Sequence, residues 1–137
     1  MLINLTNHPS YTWSDEQIMA FEEKYGEIVD LPFPNVPPRM SKYDVDVLAW
    51  QYVKKCDEIL SSRGLGHDEE CPKRFEDYKP YGEEALCVCK LDAVHLMGEM
   101  SFCYSFIAQF PCEVNADIVV STTERNPDGG FSFVAIR

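Results

Sequence analysis

The sequence predicts an α/β fold: a three-layer Rossmann-like sandwich around a mostly parallel sheet of about five strands, the last of them antiparallel. Three observations carry that expectation. Short apolar runs alternate with amphipathic stretches in the order β-α-β-α-β-α-β-β, which right-handed crossovers stack into helices on both faces of a sheet. The run Ala93-Val94-His95-Leu96-Met97 ends at Gly98 and passes at once into helical spacing from Glu99 to Phe110, with Phe102, Phe106 and Ile107 on one side. That strand-to-helix step is the half-unit of a parallel sheet. Finally, 137 residues with 45% hydrophobic content suit one core, so residues 1–137 are read as a single domain.

The elements follow in order. Leu2-Ile3-Asn4-Leu5 reads as a first strand, and Thr6 to Trp13 as a loop in which Pro9 biases His8 away from helix. Ser14-Asp15-Glu16-Gln17 has the spacing of a capping box, and Tyr25-Gly26 ends that helix with a glycine at C′. Glu27 to Leu31 is a second strand, followed by the proline-rich loop Pro32 to Pro38. A second helix starts near Ser41, carries Val45, Leu48, Tyr52, Cys56 and Ile59 as its apolar stripe, and stops near Arg63-Gly64. Residues Leu65 to Glu84 lack periodicity and read as an irregular insertion, expected to be dispensable for folding. Glu84 to Leu91 fits a helix or a strand equally. Beyond the Gly98 junction, Ala116 to Val120 is a strand, Ser121 to Gly130 a loop, and Phe131 to Ile136 the closing antiparallel strand.

Composition restricts function. The net charge of −11 opposes binding to long nucleic acid, which asks for a phosphate-neutralising basic surface. A small nucleotide is still compatible, since helix termini and a single arginine suffice to hold a phosphate. No run approaches the roughly 18 apolar residues of a membrane span, and Met1 to His8 lacks the basic start of a signal peptide, so a cytoplasmic protein is expected. The six cysteines are then mostly buried thiols. His67-x-x-x-Cys71 with Cys87-x-Cys89 is an alternative zinc set, although its spacing matches none of the common pairs, and no metal is expected.

Ligands of such sheets bind beyond the strands' carboxyl ends, where strand order reverses. Three polar segments meet that description: Thr6 to Ser10, Gly98 to Ser101, and Ser121 to Arg125. There is no G-x-G-x-x-G run after the first strand, no P-loop and no G-x-S-x-G elbow. Gly98 either admits a ligand to the backbone or only packs tightly. His8 serves as a proton shuttle or merely caps a turn. His95, inside an apolar strand, reads as a satisfied core residue. Arg125, after Ser121, Thr122 and Thr123, is an anion clamp or a salt-bridge partner of Glu99 or Glu124. Trp13, Phe33 and Tyr11 stack a base or fill the core.

Three blocks, Asn7-His8-Pro9 with Trp13-Ser14-x-x-Gln17, Leu31-Pro32-x-Pro34, and Gly98-Glu99 with Ser121-Thr122-Thr123-Glu124-Arg125, resemble a group of small CRISPR-associated proteins with a Rossmann-like fold, related to the CRISPR-associated Rossmann fold sensor domains. The resemblance covers most of the chain apart from the insertion. It implies binding of cyclic oligoadenylate, the second messenger of type III CRISPR defence, with cleavage by a metal-independent ring nuclease or binding alone as a sponge or sensor. The implied catalytic residues are His8 and Arg125. The implied ligand-binding residues are Asn7, Gly98, Glu99, Met100, Ser101, Thr122 and Thr123. No cofactor is implied, and a messenger with rotational symmetry implies a homodimer with the ring across its axis. A small α/β domain for another nucleotide or a protein partner is the remaining alternative.

Overall fold

Leu2–Thr6 (β1) and Asp92–Met97 (β3) lie side by side at the centre of a parallel sheet, in register from Leu2 opposite Ala93 to Thr6 opposite Met97. A computed structural model describes residues 1–62, 92–110 and 116–137. Ile28–Asp30 (β2) flanks β1 and Ala116–Val119 (β4) flanks β3, giving the order β2-β1-β3-β4. The insertion Leu65 to Glu84, the ambiguous stretch to Leu91 and the zinc set His67, Cys71, Cys87 and Cys89 all lie outside the described residues.

The helices begin where their caps place them. Asp15–Tyr25 (α1) is capped by Ser14, whose hydroxyl accepts from the Gln17 amide, and ends at Gly26 with φ 80°. Lys42–Ser61 (α2) is capped by Ser41, which accepts from the Asp44 amide at 3.1 Å. Met100–Gln109 (α3) is capped by Glu99. No helix among the described residues is long and apolar enough to cross a membrane.

Period-2 alternation divides β1 and β3 between two layers. Ile3, Leu5, Val94 and Leu96 pack with Val45, Ala49, Val53, Phe102 and Phe106 of α2 and α3. On the other face Leu2 and Ala93 pack with Phe21, Tyr25 and Phe133. Helices therefore cover both faces, as the α/β reading requires. The chain leaves β1 for β2 in one direction, then crosses back over β1 to β3. The strand order reverses between β1 and β3.

The carboxyl-terminal region differs from expectation. Ser121–Arg125 is a strand (β5), not a loop, and it pairs antiparallel with Phe131–Ile136 (β6). The two form their own ribbon instead of adding an antiparallel strand to the parallel sheet. Val120 and Arg137 exchange amide–carbonyl bonds of 2.8 Å at its base. The turn shrinks to Asn126-Pro127-Asp128-Gly129-Gly130, closed by Asn126 N–H to the Gly130 carbonyl at 2.8 Å, with Gly129 at φ 89°. β-Branched Thr122 and Thr123 favour the extended backbone this pairing needs.

Candidate functional site

The alternation that buries Leu2 and Ala93 also sets Asn4, Thr6, His95 and Met97 on the α1 face of the two central strands. Asn4 is the register partner of His95, and Thr6 of Met97. A buried sheet has thus placed two polar pairs next to each other at the carboxyl ends of β1 and β3. Such placement is costly unless the polar atoms are partnered.

Most of them are. His95 is only 2% exposed. The Ser121 amide donates to its Nε2 at 3.2 Å, and Ser121 Oγ lies 3.1 Å from the same nitrogen while donating to Met97 Sδ at 3.1 Å. Because Nε2 accepts, the neutral ring carries its proton on Nδ1. That N–H is buried without a hydrogen-bond partner, as is Asn4 Oδ1. Burial pushes the His95 pKa down to about 4, so the ring stays neutral at ordinary pH. Trp13 meets it edge-on at 5.3 Å and Phe21 lies 4.8 Å away, centroid to centroid.

The loop after β1 is pinned from both ends. The His8 carbonyl accepts from Asn4 Nδ2 at 3.0 Å, Thr6 Oγ1 at 2.9 Å and Trp13 Nε1 at 3.0 Å. Asp30, at the end of β2, accepts from Asn4 Nδ2 at 2.7 Å and from Ser10 Oγ at 2.7 Å, with the Ser10 amide at 3.0 Å. Partial burial alone would raise the Asp30 pKa, but these hydrogen bonds outweigh it and bring it below the usual carboxylate value. The His8 backbone is consequently fixed while its side chain remains exposed.

A cavity of about 350 Å³ opens between this loop, the start of α1 and the ribbon. Its floor is Thr6, His95 and Met97. Thr12, Trp13 and Gln17 form one wall, Ser121, Thr123 and Phe131 the other, and His8 stands at the side. The lining offers four hydroxyls, one carboxamide and aromatic faces, with no carboxylate, ammonium or guanidinium. It sits at the switch point between β1 and β3, where open α/β sheets bind ligands.

Of the residues anticipated for the site, His8 and Thr123 line the cavity. Asn7 adjoins His8 and is exposed. Thr122 is turned into the ribbon, its hydroxyl donating to the Ala135 carbonyl at 3.2 Å. Arg125 is exposed and lies outside the lining. It is directly opposite Phe131 across the ribbon, so both side chains project to the same side and Arg125 belongs to the outer rim. Arg125 shows neither of the salt bridges considered for it among the described residues.

The Gly98 segment is not part of this cavity. An added Cβ at Gly98 would overlap the Phe33 ring, meeting Cζ and Cε2 and lying 2.7 Å from Cε1. The close approach is therefore made by Phe33 on the α2–α3 side, not by a ligand. Glu99 occupies the α3 amino terminus itself, accepting from the Phe102 amide at 2.9 Å and from Ser101 Oγ at 2.6 Å. Those hydrogen bonds, Ser101's first, hold its carboxyl below the usual range. A carboxylate of the chain thus fills the place considered for a phosphate, and Met100 points to solvent. Among the candidate stacking rings, Trp13 lines the cavity, Phe33 packs on Phe102 at 5.0 Å, and Tyr11 is exposed outside it.

Thr12, Gln17, Met97 and Phe131 lie outside the three polar segments expected to form the site, and His95, which reads from its sequence neighbours as a satisfied core residue, lines the cavity as well. For His95 and Met97 the signal is the period-2 register within Asp92–Met97, which matches that of Asn4 and Thr6 within Leu2–Thr6. Among the described residues no three His, Cys, Asp or Glu side chains group for a metal. Compared with known proteins, the chain matches no family model, no curated protein and no solved structure.

Proposed function

We propose that the protein binds a nucleotide of the cyclic oligoadenylate class, one adenylate unit seated in the switch-point cavity and its phosphate at the rim near Arg125. In this reading it serves a cytoplasmic antiviral response of the CRISPR type. The observation that carries the proposal is the cavity's position at the carboxyl ends of β1 and β3, combined with its uncharged lining. Trp13 and Phe131 supply faces for a base, the Gln17 carboxamide can pair with its edge, and the hydroxyls suit a ribose. About 350 Å³ is at the small end of ligand cavities and suits a single nucleotide unit, leaving the rest of a ring outside. A phosphate belongs at the rim, within reach of the guanidinium.

Cleavage is favoured as a second activity by His8, an exposed imidazole on an immobilised backbone beside the cavity. The ribose 2′-oxygen would attack the adjacent phosphorus, its proton passing to His8, while the bond from phosphorus to the 5′-oxygen breaks. The products are a cyclic phosphate end and a 5′-hydroxyl, which takes up a proton. Orientation and charge stabilisation by Arg125 supply the remainder.

Calorimetric titration with rings of several sizes, followed by mass analysis of products after long incubation, tests both. Arg125→Ala should weaken binding roughly ten- to a hundred-fold, the loss of one charge-assisted hydrogen bond. His8→Ala should suppress product much more than binding. Failure of every ring to bind would end the proposal, and binding without product would retain the binding function and remove the nuclease.

A further inference from the structure

A row of polar residues runs across the carboxyl ends of the sheet and onto the ribbon: Asp30 of β2, Asn4 of β1, His95 of β3 and Ser121 of β5. Asn4 Nδ2 donates to Asp30 Oδ1 at 2.7 Å, and Ser121 Oγ lies 3.1 Å from His95 Nε2. Between these two contacts stand Asn4 Oδ1 and His95 Nδ1, both buried and without a hydrogen-bond partner among the described residues. One is an acceptor and the other, in the tautomer that Ser121 imposes, a donor. They belong to register partners on adjacent strands, about 4.8 Å apart at the backbone, with both side chains on the same face.

We infer that Ser121 is a nucleophile and His95 its general base, giving the cavity a further activity: acyl transfer from small uncharged esters to water. Both residues line the cavity, so the pair opens onto the space a substrate occupies. A nucleophile and base about 2.6–3.2 Å apart, with the base oriented by a third group, is the arrangement covalent catalysis requires. Asn4, held on its far side by Asp30, is that third group, a positioning residue. Its Oδ1 is the available acceptor for the Nδ1–H, and the demand for one rises as the ring becomes imidazolium. The Ser121 hydroxyl donates to Met97 Sδ, a weak acceptor, and rotation about Cβ–Oγ turns the same proton to Nε2. Donors for the developing oxyanion are also present. The hydroxyls of Thr6 and Thr12 are committed to backbone carbonyls, whereas the side chains of Thr123 and Gln17 line the cavity and make no hydrogen bond among the described residues.

Water is the sole co-reactant. Ser121 Oγ bonds to the ester carbonyl carbon as its proton passes to His95 Nε2, and the carbonyl π electrons move to oxygen. Protonation removes the Nε2 lone pair that the Ser121 amide uses at 3.2 Å, leaving that N–H to the oxyanion on its own residue. Collapse breaks the bond to the leaving oxygen, which takes the proton from Nε2 and departs as the alcohol. Water then attacks the acyl-Ser121 ester by the same path, its proton passing through Nε2 to Oγ, and a carboxylic acid leaves. Burial puts the imidazole pKa at about 4, so the base is neutral but weak, and esters of acidic alcohols such as nitrophenols are the substrates within its reach. The uncharged lining with its aromatic faces suits such esters.

Diisopropyl fluorophosphate, which forms an Oγ–phosphorus bond and releases fluoride, tests the pair on the whole chain without nucleotide. Peptide mass analysis should find an adduct on Ser121, and p-nitrophenyl acetate should release nitrophenolate faster than in buffer alone. Ser121→Ala should abolish both while circular dichroism shows the fold intact, and His95→Gln should slow both at least about a hundredfold. The site of the label decides the question even if His95→Gln folds poorly. An unlabelled parent, a label confined to other residues, or nitrophenolate release that survives Ser121→Ala would overturn the inference. So would a folded His95→Gln that labels as fast as the parent. With no nucleotide present, such a failure leaves the nucleotide reading standing, and failure of every ring to bind leaves this activity standing.

Discussion

Gly98→Ala changes one methyl group, yet its sign should depend on a residue far away in sequence. Only Gly26 and Gly129 have positive φ among the described glycines, so the Gly98 backbone is one that alanine can adopt. Without steric conflict, the substitution would stabilise by about 0.4–1 kcal/mol through the unfolded chain. The added Cβ instead enters the Phe33 ring, 2.7 Å from Cε1 and closer still to Cζ and Cε2. Phe33 cannot simply swing away, because it is packed edge-on against Phe102, which is completely buried. Overpacking of this kind costs about 1–3 kcal/mol. Urea unfolding should show Gly98→Ala less stable by that amount. In a Phe33→Ala background, the same change should become neutral or stabilising by about 0.4–1 kcal/mol. An equal loss in both backgrounds, or no loss in the parent, would refute the steric account and reopen Gly98 as a place where a ligand nears the backbone.

His95 predicts a pH dependence. Its folded pKa of about 4 is below the ordinary 6.5, so its contribution to stability is complete above 6.5 and is lost as pH falls through the folded value. The parent should lose up to about 3 kcal/mol more than His95→Gln between pH 7 and pH 4, since each pKa unit corresponds to 1.36 kcal/mol; parallel urea-unfolding curves for the two would contradict the buried neutral ring. Asp30→Ala removes the acceptor of both Asn4 Nδ2 and the Ser10 amide, so it should cost about 1–3 kcal/mol and speed hydrogen exchange at Ser10. Unchanged exchange there would show that the loop is held by the His8 carbonyl alone.

Local chemistry was legible in the sequence, and non-local pairing was not. Ser14, Gly26 and Ser41 mark helix ends through hydrogen bonds to residues a few positions away, so they could be placed from spacing. Gly98 was correctly set between strand and helix, but a glycine records a close approach without recording who approaches; Phe33 comes from 65 positions earlier in the numbering. Ser121 to Arg125 looked like a loop because hydroxyls adjoin an Asn-Pro-Asp-Gly-Gly turn. Its strand depends on β6 as partner, with a register irregularity between Thr122 and Thr123 that no local pattern announces. His95 illustrates the same limit. Its apolar neighbours in sequence describe a core, whereas its neighbours in space are Ser121, Trp13 and a cavity.

Tryptophan fluorescence tests the central claim most directly, because Trp13 forms part of the cavity wall. In a Trp50→Phe chain, Trp13 is the remaining tryptophan and reports on that wall alone. Titration with cyclic oligoadenylates should give saturable quenching for at least one ring size, at one ring per copy of the chain, with Arg125→Ala shifting the midpoint to higher concentration. A ring that binds by calorimetry while leaving Trp13 unchanged would place the ligand elsewhere, and the switch-point cavity would lose its assignment.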